Sequence, residues 1–133
     1  MKKINTICLI EDEPIQTFIT TKIIKMSGMV ENILIFKNGK EAYNKLRAII
    51  LRDENLPEII LLDLNMPIWD GWQFLDEFTK IPISSSVIIY ILTSSNDPDD
   101  LKRAEAYNLS KSYLVKPITL DQLKTILAEI EKH

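Results

Sequence analysis

The sequence predicts an α/β fold in which one parallel sheet is covered on both faces by helices. Three features predict it. Short apolar runs, several rich in β-branched residues, occur five times along the chain. Amphipathic segments of helical period separate them. Four of the runs end in polar or charged residues, at the strand ends where open parallel sheets place their chemistry.

The elements can be placed in chain order. Ile4 to Ile10 reads as the first strand. Pro14 suits the first turn of a helix, with Asp12 or Glu13 near its cap. Phe18, Ile19, Ile23 and Met26 recur at helical spacing, and Gly28 ends that helix. Ile33-Leu34-Ile35-Phe36 is a second strand. Asn38 with Glu41 three residues on is a capping pattern, and Ala42, Leu46 and Ile49 stripe the second helix. Residues 50–57 read as a long connection to a third strand at 58–62. Gly71 to Lys80 forms a third helix carrying Trp72, Phe74, Leu75 and Phe78. Val87 to Leu92 is a nearly all-apolar fourth strand, so it belongs inside the sheet. Asp97-Pro98 opens a fourth helix with Leu101, Ala104 and Tyr107. Ser112 to Val115 is a short fifth strand. Thr119 to Gln122 is a capping box, and Leu123, Ile126, Leu127 and Ile130 stripe the last helix.

Five β-α units in 133 residues predict one domain, 1–133, and the expectation is no second or output domain. Hydrophobic residues make up 46% and charged residues 26%, as in ordinary globular chains. The net charge of −3 gives no basic footprint for nucleic acid. Cys8 is alone, so it forms no internal disulfide. Met1-Lys2-Lys3 looks like the start of a signal peptide, but Asn5, Thr6 and the acids at 11–13 interrupt the apolar stretch after it. No run approaches the about 18 apolar residues of a membrane helix. The expected location is cytoplasmic, with no membrane partner.

The polar strand ends carry the chemistry. They are Glu11-Asp12, Asp63, Thr93 and Lys116. In a conventional switch-point topology, strands one, three, four and five lie side by side and share one crevice. Carboxylates that close repel one another, so a positive group belongs among them, and a hard divalent cation is the obvious candidate. Carboxylates, a hydroxyl and a lysine together suit phosphoryl transfer. An aspartyl phosphate fits better than a phosphoserine. The one histidine is His133 at the end of the chain, whereas a carboxylate is already ionised at neutral pH and needs no base.

This constellation resembles the receiver domain of two-component response regulators, over essentially the whole chain. The resemblance rests on Glu11-Asp12 after strand one, Asp63 in Asp-Leu-Asn-Met-Pro-Ile-Trp-Asp-Gly, Thr93 after strand four, and Lys116-Pro117 after strand five. It implies a flavodoxin-like sheet of strand order 2-1-3-4-5 with five helices. It implies that Asp63 accepts a phosphoryl group from a sensor histidine kinase or a histidine phosphotransfer protein. Asp12, Asp63 and the backbone carbonyl of Asn65 would bind Mg²⁺, with Glu11 helping through water. Thr93 and Lys116 would contact phosphoryl oxygens, and the bond before Pro117 would be cis. Thr93 and Tyr113 would form the switch that reshapes the helix four, strand five and helix five face for an output protein. Asn65 and Ser95 would tune the lifetime of the phosphorylated state. Homodimerisation through the same face is an arrangement the resemblance allows. Such a module catalyses only its own phosphorylation and dephosphorylation. One departure is Glu11, where the family more often has Asp.

Two other readings compete. A haloacid-dehalogenase-like phosphatase would also use a strand-end Asp with Mg²⁺, but it needs a second acid where Asn65 stands. An amide neither donates nor accepts a proton there. A scaffold with the receiver fold but no phosphorylation predicts no Mg²⁺ dependence. Among the tryptophans, Trp72 is expected in the core and Trp69 as a partly buried loop aromatic beside Asp63.

Overall fold

The structure, a computed structural model, describes residues 4–82, 87–94, 97–109 and 112–131. Its elements alternate: β1 (Ile4–Ile10), α1 (Pro14–Ser27), β2 (Val30–Phe36), α2 (Gly39–Leu51), β3 (Ile59–Asp63), α3 (Gly71–Phe78), β4 (Ile88–Thr93), α4 (Pro98–Ala106), β5 (Tyr113–Val115) and α5 (Leu120–Glu131). All strand pairs are parallel, in the order β2-β1-β3-β4-β5. This is the expected doubly wound, flavodoxin-like sheet with five helices.

Strand alternation divides the core in two. Cys8, Ile10, Ile60, Leu62, Ile89 and Ile91 meet α2, α3 and α4 through Leu46, Phe74, Phe78 and Ala104. Ile7, Leu9, Ile59 and Leu61 meet α1 and α5 through Ile24, Leu123 and Leu127. Each strand side chain points to the face opposite its neighbour's, so one apolar run feeds both layers. All five residues of β3 are buried, because β3 is the middle strand.

The caps agree with the sequence signals. Asn38 accepts from the Glu41 N–H at 2.8 Å. Thr119 and Gln122 exchange both bonds of a capping box, at 2.9 and 3.1 Å. Asp97 caps α4 by accepting from the Asp99 N–H. Gly28 closes α1 at φ +66, a left-handed conformation that glycine adopts without a Cβ penalty.

Several boundaries differ from expectation. β2 begins at Val30, because Ile4 pairs with Val30 and Thr6 with Asn32. As an edge strand it tolerates the polar Glu31 and Asn32, which hid its start. α2 runs to Leu51, so the connection expected from residue 50 is shorter. Its end is fixed by the Asp53 and Glu54 N–H groups, which donate to Ile50 and Ile49 carbonyls. α3 stops at Phe78, and β5 is three residues long. In α1 the expected stripe is rotated: Phe18 and Met26 are 67% and 60% exposed, while Thr20 and Ile24 are buried. In α4 only Ala104 is buried.

Candidate functional site

The site lies at the carboxyl ends of β1, β3, β4 and β5. β1 delivers Glu11 and Asp12, β3 ends on Asp63, β4 ends on Thr93, and β5 leads into Lys116. Parallel pairing sets their level: Ile10 is opposite Leu62, Asp63 opposite Leu92, and Thr93 opposite Val115. Beyond β5, the Lys116 N–H donates to the Thr93 carbonyl at 2.7 Å, and the Lys116-Pro117 bond is cis. That backbone bond holds residue 116 beside the end of β4. An open cavity of about 350 Å³ is lined by Asp12, Glu13, Pro14, Asp63, Asn65, Ser94 and Lys116.

Two of the carboxylates are joined by one cation, Lys116. The Lys116 Nζ donates to Glu11 Oε1 at 2.7 Å and lies 3.1 Å from Asp63 Oδ1. Glu11 and Asp63 are 2% and 3% exposed. Burial pushes the Asp63 carboxyl up to about 6, and a hydrogen bond and like charge from Glu11 add to this, against the opposing pull of Lys116. Burial disfavours the Lys116 charge, but its bonds to Glu11 and Asp63 outweigh that and raise its pKa.

Carboxylate oxygens of Glu11, Asp12 and Asp63 all lie within 4.8 Å of one another. Oxygen donors without nitrogen or sulfur are the set a hard cation takes, so these residues fit Mg²⁺ or a similar ion. Glu11 and Asp63 are buried, while Asp12 is partly exposed toward the cavity. The Asn65 N–H lies 3.4 Å from Asp63 Oδ1, which turns the chain after β3 back over the carboxylate.

Thr93 and Tyr113, the two residues expected to act as a switch, are also brought together. Thr93 is fully buried. Tyr113 is partly buried and shares a side-chain hydrogen bond with Thr93. Burial, then Asp100, raises its phenol pKa, and that bond opposes them. Trp72 is 4% exposed, as expected of a core residue. Trp69 is partly buried and packs on Tyr43 with ring centres 5.3 Å apart. Ser95, Asn96 and His133 lie outside the described residues. The direct Glu11–Lys116 pair was not foreseen in the sequence. Its signal was the need of buried carboxylates for a positive partner, a need that lysine meets as well as a metal does.

A sequence model of the response regulator receiver domain matches residues 7–128. The chain belongs to this family. Among its relatives is a probable methanogenesis regulatory protein, FilR2, of Methanothrix harundinacea, 30% identical over 96% of this chain and 81% of the relative. Response regulator Rcp1 of Synechocystis is 29% identical over 94% of this chain and 85% of the relative. The crystal structure of a two-component response regulator from Cytophaga hutchinsonii superposes with TM-score 0.88 at 34% identity, covering 99% of this chain and all of the other. A manganese-bound form of Rcp1 superposes with TM-score 0.71 at 26% identity, over 96% of this chain and 91% of the other. Receiver domains are signalling modules of two-component systems. Among the described residues, no helix of this receiver domain is long and apolar enough to cross a membrane.

Proposed function

We propose that this receiver domain takes a phosphoryl group onto Asp63 from a phosphohistidine of a sensor kinase or phosphotransfer protein. The observation that carries the reading is the buried Lys116 ammonium held between Glu11 and Asp63 in the wall of an acidic cavity. An Asp63 oxygen attacks the phosphorus in line, and the P–N bond to the donor histidine breaks. Lys116, already beside Asp63, meets the new phosphoryl charge. Thr93 supplies a hydroxyl from the end of β4 and carries Tyr113 with it, changing the face made by α4, β5 and α5. That face would serve an output protein, and it is also where homodimers of the chain would form.

Glu11, Asp12, Asp63 and the Asn65 carbonyl are the groups that would hold Mg²⁺. When bound, the ion supplies positive charge against the phosphoryl oxygens. By the family resemblance, the reading gives Asn65 and Ser95 the tuning of the phosphorylated state's lifetime. The mechanism turns over no metabolite, and its expected setting is the cytoplasm.

That the Rcp1 relative has a manganese-bound form supports a divalent ion in this reading. The deciding experiment treats the protein with Mg²⁺ and acetyl phosphate and tracks its intact mass. Addition of one phosphoryl group, lost in Asp63→Asn, is expected. A well-folded protein that stays unmodified would favour the scaffold reading instead. Passage of the group to a histidine-containing acceptor then separates relay from regulation by binding.

A further inference from the structure

α4 is a helix with little to hold it. Ala104 is its one buried residue, and Leu101 is 36% exposed. Elements with few buried apolar contacts open most easily and are the ones that move in switching. Among the described residues, three side chains of α4 and its end gather on one side chain of α3, Trp72.

The Trp72 indole Nε1–H donates to Asp100 Oδ1 at 3.2 Å. The Arg103 guanidinium lies 4.7 Å from the centre of the Trp72 rings. Tyr107 stacks on the same indole with ring centres 5.9 Å apart and planes 18° from parallel. The Tyr107 hydroxyl also donates to Asp76, one turn further along α3. Residues 100, 103 and 107 form one stripe on the α4 helix and its end, and that stripe converges on one buried indole.

Trp72 in turn stands next to a close backbone contact. The Gly71 N–H donates to the Leu64 carbonyl at 2.9 Å. A Cβ on Gly71 would lie 2.7 Å from the Asp63 carbonyl oxygen and 2.9 Å from Leu64 Cα. The first turn of α3 therefore rests directly on the backbone of Asp63. At the other end, Asp100 acts electrostatically on Tyr113 as well as accepting from the indole.

We propose that Trp72 is a positioning residue that ties α4 to the backbone at Asp63, giving the site a second connection to the α4 face besides Thr93 and Tyr113. The link to phosphorylation rests on the proposed role of Asp63 as phosphoryl acceptor; the fastening of α4 does not. A cationic and hydrogen-bonded edge on an otherwise polar helix allows α4 to be held in one place without a deep apolar anchor. It also lets α4 be released without exposing much of the core.

The test is amide hydrogen exchange over residues 98–106 in the wild-type protein, Trp72→Phe and Arg103→Met, with and without Mg²⁺ and beryllofluoride. Trp72→Phe keeps a ring but loses the indole donor. Arg103 is on the surface, so Arg103→Met leaves the core intact even if Trp72→Phe folds poorly. Exchange about tenfold faster in α4 of both variants, with β1 and β3 unchanged, is expected. The beryllofluoride-induced change over 98–106 should also shrink in Trp72→Phe. In a Trp69→Phe background, where Trp72 is the sole tryptophan, its emission should change when beryllofluoride binds. Wild-type exchange in Arg103→Met and in any folded Trp72→Phe would overturn the proposal. Fluorine NMR reads beryllofluoride at Asp63 separately. If wild-type protein shows no bound signal, the proposed role of Asp63 fails, and the exchange of the ligand-free variants still decides the role of Trp72.

Discussion

Lys116 and Glu11, 105 residues apart in sequence, meet at 2.7 Å in the interior of the crevice. Their side chains are 8% and 1% exposed, so the pair is shielded from solvent. Removing one member of such a pair leaves an uncompensated buried charge. Lys116→Met would leave Glu11 and Asp63 facing each other alone. We expect a loss of about 3 kcal/mol in stability without divalent ions. Mg²⁺ should restore more stability to the variant than to the wild type, because a cation then returns to the two carboxylates. Thermal melts with chelator and with Mg²⁺ check this; equal Mg²⁺ shifts in both proteins would contradict it.

The raised pKa of Asp63 sets a pH dependence. Its carboxyl sits at about 6 in the fold against an ordinary 3.8. A group raised on folding stabilises below the ordinary value, and that stability is lost as pH rises through the folded value. Ion-free wild-type protein should therefore lose stability between about pH 4 and 6. Asp63→Asn, which keeps the shape without the charge, should not share that loss. At neutral pH the variant should be more stable by about 1–3 kcal/mol. Denaturant titrations in chelator across this window read the difference, and parallel curves would refute the assignment.

Gly71 is required for lack of space rather than for its backbone angle. A methyl group there meets the Asp63 carbonyl oxygen and Leu64 Cα, which are backbone and cannot rotate away. Gly71→Ala should cost about 1–3 kcal/mol and displace the chain at Asp63. Gly28 is the contrast. Nothing lies within 4 Å of its added Cβ, but its φ of +66 is left-handed. Gly28→Ala should cost about 1 kcal/mol and leave Mg²⁺ affinity unchanged. Paired measurements of stability and Mg²⁺ binding separate the two cases.

The sheet and the strand-end groups were legible because both rest on local pattern. Ile59 to Leu62 is buried on both faces, so it is continuously apolar, and Asp63 stands out at its end. Asn38, Thr119 and Gln122 cap through bonds three residues long, which sequence spacing records directly. What sequence hid depends on partners distant in the chain. Phe18 and Met26 have the same spacing as a buried stripe, and only the placement of α1 on the sheet turns them outward. β2 began earlier than expected because an edge strand can carry Glu31 and Asn32 toward solvent. Asp100, Arg103 and Tyr107 read as an ordinary polar helix until Trp72 is seen beneath them.

Glu11 couples the two effects at Asp63. Its hydrogen bond and its charge both raise the Asp63 carboxyl, after burial itself. Glu11→Gln keeps the side-chain length and an oxygen acceptor for Lys116 but removes the charge. Asp63 should then titrate below about 6, nearer its ordinary value. Deprotonation becomes easier, yet the cluster of Glu11, Asp12 and Asp63 has lost one of its three negative charges. Mg²⁺ affinity should fall by about tenfold or more, since the residue supports the ion by charge rather than by shape alone. The two changes run in opposite directions, which distinguishes them from general damage to the site. Carboxyl NMR titration of Asp63 without Mg²⁺, together with Mg²⁺ titration at neutral pH, reads both. A variant with weaker Mg²⁺ binding and an unchanged Asp63 titration would mean that Glu11 acts on the ion without acting on Asp63.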